Sequence, residues 1–293
     1  MSEFEDRYWT SPDGLRLHYR AYAAGAGLGE GEGNRLSALC LPGLTRNARD
    51  FEALAPRIAA TGRQVLCPDL RGRGDSDYAK DSASYNPLQY VEDIEALLAE
   101  LALTRIVAVG TSLGGLITML LALRNPGVIG GAVLNDIGPV IEAEGLARIR
   151  DYVGSGRSFP TWMHAARALE ETHGPVFPDF EAGDWLRMAK RLMVLGQSGR
   201  IAFDYDMKIA EPIEAGEGGA APDLWPAYAA LAPTPLLVLR GERSDLLSAE
   251  TAAEMARRIP GAEVITVSGR GHAPTLEEPA AASAIDRLLS RCD

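Results

Sequence analysis

Short apolar runs alternate with helical patterns along the chain, which predicts an α/β fold with a parallel sheet and crossover helices. Two features refine that class. Residues 106–123 form a stretch of 18 uncharged residues, long enough to suggest a membrane span, yet Gly110, Thr111, Ser112, Gly114 and Gly115 fall in its middle. That cluster predicts a strand, a tight turn and a buried helix instead. From 138 to about 231 the alternation stops, and helices with Pro/Gly punctuation predict a helical lid inserted into the sheet. The core is then 1–137 with 232–293, and the lid is 138–231.

The chain starts Met1-Ser-Glu-Phe-Glu-Asp6, which is acidic, lacks an apolar core and is not read as a signal peptide. Residues 8–10 and 15–22 predict a hairpin turned by Ser11-Pro-Asp-Gly14. Buried strands are expected at 38–41, 64–67, 106–109, 131–134, 235–239 and 263–267. Helical patterns fall at 50–60, 89–101, 113–124, 249–259 and 280–289. In the lid, Ser158-Phe-Pro-Thr161 opens a helix to about Glu171. Asp184 is read as the cap of another, with Trp185, Met188, Ala189, Leu192 and Leu195 on one face. Glycine-rich stretches at 25–33 and 216–222 read as flexible links, and the charged turn at 69–77 reads as a solvated loop.

Of 293 residues, 29 are Lys or Arg and 40 are Asp or Glu, a net charge of −11 spread along the chain. That balance argues against a nucleic-acid face or binding to an anionic membrane. Cys40, Cys67 and Cys292 are too few for a disulfide framework, so a reducing, cytoplasmic compartment is expected. No dinucleotide or Walker pattern, His-Glu-x-x-His or Cys-x-x-Cys occurs, so neither a cofactor nor a metal is expected. The oligomeric state is left open.

Gly110-Thr-Ser-Leu-Gly114 fits G-x-S-x-G between an apolar strand and an apolar helix. In that setting the serine occupies a strained turn, and the flanking glycines leave room for the backbones that crowd it. A serine hydroxyl needs a base to take its proton and an acid to orient that base. Four histidines are available. His18 reads as a surface or half-buried strand residue, His164 as a packing residue of a lid helix, and His173 as a cation complementing a helix end. His272, in the glycine-rich loop after the last strand, is the expected base. Asp245, 27 residues earlier and after the preceding strand, is the expected acid. It is preferred to Glu242, nearer the strand end, and to Asp136, an acid one strand earlier that reads as a turn residue.

With these residues in place, the chain resembles a lidded α/β-hydrolase of the serine esterase or lactonase type. Pro42-Gly43-Leu44, the 69–77 turn, Gly110–Gly114, Gly241–Asp245 and Gly271-His272 all stand in family order. The resemblance implies an eight-stranded, mostly parallel sheet with a helical cap after the sixth strand. It also implies an oxyanion hole formed by the backbone N–H groups of Leu44 and Leu113. Many relatives carry His-Gly where this chain has Pro42-Gly43.

The implied activity is hydrolysis of a small carboxylic ester or lactone through an acyl-enzyme. A carbon–carbon bond hydrolase of vinylogous diketones would use the same triad, and a slow, receptor-like hydrolase is a third reading. Candidate pocket residues are Arg46, just past Leu44, and Trp162, Met163, Trp185 and Met188 in the lid. Phe159 and Met193 belong to the same apolar set.

Overall fold

A computed structural model describes residues 4–25, 35–215 and 222–292. The glycine-rich links expected at 25–33 and 216–222 fall outside these residues, save for Gly25 and Pro222. The strands are β1 (Phe4–Thr10), β2 (Arg16–Tyr22), β3 (Ser37–Leu41), β4 (Val65–Pro68), β5 (Ile106–Thr111), β6 (Ile129–Asn135), β7 (Ser158–Phe159), β8 (Met193–Leu195), β9 (Ile201–Phe203), β10 (Leu236–Gly241) and β11 (Glu263–Val267). The helices are α1 (Leu54–Ala59), α2 (Pro87–Glu100), α3 (Leu113–Arg124), α4 (Ala143–Tyr152), α5 (Trp162–His173), α6 (Ala182–Leu192), α7 (Ala210–Ala215), α8 (Trp225–Ala229), α9 (Ala249–Arg258) and α10 (Pro279–Leu289).

Eight strands form one sheet in the order β1-β2-β4-β3-β5-β6-β10-β11. β2 pairs antiparallel with β1 and β4, and the remaining neighbours are parallel. Both faces are covered, so the central strands are apolar on both sides, as parallel strands under crossover helices must be. Val107 and Val109 of β5 belong to the apolar cluster that includes α1 and α10, while Ile106 and Ala108 belong to the one that includes α2, α3 and α9. The uncharged stretch is β5, a one-residue turn and α3. Among the described residues no helix is long and apolar enough to cross a membrane.

The segment between β6 and β10 has an apolar core of its own, including Phe159, Leu169, Trp185, Leu192 and Met193. It is not purely helical, as its pattern suggested. β7, β9 and β8 form a small antiparallel sheet. Strands of two or three residues are too short to show a period in sequence. α6 also begins earlier than expected. Glu181 is the cap, and Asp184 sits at the third helical position with its carboxylate turned back to the Glu181 N–H, a capping box.

The 69–77 turn is largely buried rather than solvated, and two of its charged groups, Asp69 and Arg71, are satisfied internally. Asp69 accepts hydrogen bonds from the backbone of Ala48 (2.6 Å) and Asp75 (3.1 Å) and pairs with His18 Nδ1 (2.7 Å). Arg71 is held by both oxygens of Asp93, at 2.6 and 2.7 Å, and by Asp13. His18 is therefore buried, and its pKa is raised: burial opposes protonation, but Asp69 and Asp6 outweigh it.

Candidate active site

The carboxyl ends of β5, β6 and β11 bring three side chains together. Ser112 follows β5 directly with φ 51° and ψ −114°, a conformation that lifts its hydroxyl clear of the sheet. The flanking glycines are sterically required. A Cβ on Gly110 would run into the backbone of Gly114, and one on Gly114 into the Leu41 carbonyl. The Ser112 N–H is tied to the Asn135 carbonyl at 2.9 Å, which links the turn to β6.

His272, on the loop after β11, has Nε2 2.9 Å from Ser112 Oγ and Nδ1 2.7 Å from Asp136 Oδ2. A carboxylate only accepts, so Nδ1 carries the proton and Nε2 is left to accept from the serine hydroxyl. Asp136 is fully buried. Its carboxylate also accepts from the Gly241 N–H (2.7 Å) and the Ser244 hydroxyl (2.6 Å). The backbone at Asp136 has φ 57°, a left-handed conformation that Asp tolerates better than most residues.

The acid expected from sequence is thus corrected. Asp245 does not touch His272; Arg148 of α4 chelates it through Nε and Nη2. Burial pushes its carboxyl pKa up, but the Arg148 hydrogen bonds and charge win, and the pKa is lowered. Asp136 takes the place because β6 lies between β5 and β10, so the residue that follows β6 emerges beside the nucleophile turn. Glu242 is turned away as well, toward Ser268 and the Gly269 N–H. The signal available in sequence was an aspartate one residue past a buried strand next in line to the serine strand.

Leu44 lies in the turn after β3 and, with Gly43 and Ser112, lines a cavity of about 360 Å³. Leu113 is the first residue of α3, where N–H groups have no acceptor within the helix. Arg46 also lines the cavity, with its guanidinium chelated by Asp50 at 2.6 and 2.8 Å.

Of the apolar lid residues expected there, only Met188 lines the cavity. Trp185 is buried in the insert's own core, Trp162 packs against that core, and Met163 is exposed. Phe159 and Met193 are core residues too. An amphipathic helix must bury a stripe merely to fold, and here the stripe of α5 and α6 is largely consumed by that need. The insert instead offers Ile149, Tyr152, His173, Phe177 and Phe180 to the cavity. Tyr152 and His173 meet edge to face with ring centroids 6.0 Å apart.

His173 ends α5 but is not the cation expected there. Burial and, after it, the charges of Arg46 and Arg148 lower its pKa to about 4. His164, read as a packing residue, is exposed and pairs with Thr161.

Across the cavity rim the insert is fastened to the core. Arg191 pairs with Glu52 (2.9 Å) and Glu277 (2.8 Å), its carbonyl accepts from Asn47 and Arg49, and Arg49 pairs with Asp204 at 2.6 Å.

Comparison with known proteins agrees with this architecture. The family model described as "Alpha/beta hydrolase family" matches residues 38–285. A 3-hydroxybutyrate-oligomer hydrolase of Cupriavidus necator is 35% identical over 282 residues, 92% of each chain. A 2-(acetamidomethylene)succinate hydrolase of Mesorhizobium japonicum is 29% identical over 233 residues, 78% of this chain and 79% of that one. The crystal structure of an alpha/beta hydrolase from Novosphingobium aromaticivorans superposes with a TM-score of 0.92 at 63% identity, covering 99% of both chains.

Proposed function

Because the chain belongs to the alpha/beta hydrolase family, we propose that it cleaves short carboxylic esters through an acyl-enzyme formed on Ser112. The observation that carries this reading is the unbroken relay from Ser112 Oγ through His272 to the buried Asp136, at 2.9 and 2.7 Å. Ser112 attacks the acyl carbon while His272 Nε2 takes its proton, and Asp136 holds the tautomer and balances the imidazolium charge. The oxyanion that forms meets the N–H groups of Leu44 and Leu113, each such donor contributing about 10²–10³ in rate. His272 then protonates the leaving alkoxide, and water repeats the sequence on the acyl-enzyme.

For substrate we favour an ester of a short hydroxy acid. The hydroxybutyrate-oligomer hydrolase that matches 92% of the chain supports this class, as does a cavity of a size suited to a small acyl group. We take the cap to be residues 138–231, closing over that cavity. The test is a panel of 4-nitrophenyl esters, lactones, 3-hydroxybutyrate dimers and ring-fission diketones, run with wild type and Ser112→Ala. Ester turnover should lead the panel and fall by about 10⁴–10⁶ in the variant. Diketone cleavage exceeding ester cleavage, or ester turnover that survives the serine substitution, would refute the assignment.

A further inference from the structure

We propose that Arg73 is a positioning residue for the oxyanion turn, an inference that rests on the esterase reading above. Its guanidinium is fully buried, and Nε donates to the Leu44 carbonyl at 2.8 Å. One terminal nitrogen donates to the Arg71 carbonyl (2.6 Å) and to the Tyr90 hydroxyl (3.0 Å), while the other has no acceptor. Among the described residues no carboxylate pairs with Arg73, in contrast to Arg71 two residues away, which has two. The charge rests on the face of Tyr90, with Cζ 4.8 Å from the ring centroid, and more distantly on Tyr85 at 5.8 Å.

A buried cation without a counter-ion is a costly way to fill space, and an apolar side chain of similar volume would pack the same site at lower cost. What the guanidinium adds is a directional hold on one peptide. By fixing the Leu44 carbonyl it fixes the turn whose preceding N–H group is the proposed oxyanion donor. It also places an uncompensated positive charge behind that turn, where solvent screening is weak. Both effects favour the state in which negative charge has formed on the substrate oxygen over the ground state. The turn that carries Arg73 is itself anchored to the insert, through the bridge to Tyr205 and the bonds Gly74 N–H to Asp204 carbonyl (3.1 Å) and Asp206 N–H to Gly72 carbonyl (2.7 Å).

The experiment compares Arg73→Met and Arg73→Lys with wild type in three measurements: kcat and KM on 4-nitrophenyl butyrate, affinity for a boronic-acid analogue of the tetrahedral intermediate, and hydrogen exchange across residues 42–47. In Arg73→Met, kcat should fall about 10–100-fold at unchanged KM, boronate affinity should fall with it, and amide exchange in the segment should quicken at least tenfold. Lysine keeps the charge but not the fork, so Arg73→Lys should lose at least fivefold in kcat; it decides the matter if the methionine variant does not fold. Wild-type kcat in the folded variants, a change confined to KM, or unaltered exchange at 42–47 would overturn the proposal. The exchange result stands apart from the esterase reading, which fails instead if Ser112→Ala remains active.

Discussion

Asp136 Oδ2 lies 2.7 Å from Nδ1 of His272, although the two residues are 136 positions apart in the chain. Asp245, on the neighbouring loop, is occupied by Arg148. Asp136→Asn should therefore reduce kcat by on the order of 10³–10⁴, because an amide in that place favours the wrong imidazole tautomer. Asp245→Asn should stay within about tenfold of wild type. Steady-state kinetics on a short 4-nitrophenyl ester separate the two, and the reverse ranking would return the role to Asp245.

The nucleophile turn permits little change. Gly114→Ala forces a methyl group against the Leu41 carbonyl on β3, the strand beside β5. Nothing can give way there except backbone. We expect a drop in Tm on the order of 10 °C, read by calorimetry. Gly261→Ala is the control for the clash, since a Cβ there meets open space and its φ lies outside the left-handed region.

The buried pair of Arg71 and Asp93 offers a test of the 69–77 turn. Arg71→Met strands the Asp93 carboxylate in the core and should cost about 3–5 kcal/mol in urea unfolding. Combining it with Asp93→Leu should restore most of that loss, since two apolar groups leave no uncompensated charge. A double variant less stable than the single one would contradict this.

His173 gives the acid limb of stability a specific source. Its pKa is about 4 when folded, below the ordinary value of 6.5, so the unfolded chain binds the proton more readily. The stability it contributes is complete above about pH 6.5 and is lost as pH falls toward 4, a change on the order of 2–3 kcal/mol. His18 has the opposite sign: its raised pKa contributes stability at low pH that is lost as pH rises through the folded value. Urea unfolding of His173→Gln at pH 7.5 and 4.5 should show a smaller acid loss than wild type. An equal loss in both would exclude His173 as the source.

The alternation of strands and helices, the nucleophile turn and His272 are legible in sequence because each has a local signature: period, glycine spacing, or position after the last strand. The choice of acid is not, since it depends on which strand lies beside β5. Chain order Ser…Asp…His is satisfied equally by Asp136 and Asp245, and only the sheet order separates them. The pocket residues of the insert were obscured for another reason. Trp185 and Met188 sit one turn apart on the same stripe of α6, yet the first packs inward among Phe177 and Phe180 while the second reaches the cavity. Periodicity identifies a face without saying which of its residues meet a neighbour and which meet a hollow.

Ser112, Asp136 and His272 all stand in turns or loops that follow sheet strands, and none belongs to residues 138–231. The aromatic and histidine side chains that line the cavity from above, Tyr152, His173, Phe177 and Phe180, all come from that segment. The contacts of Ser112 with His272 and of His272 with Asp136 draw on no side chain of residues 138–231, so changes at those four lining positions reshape the cavity while the two contacts keep their partners.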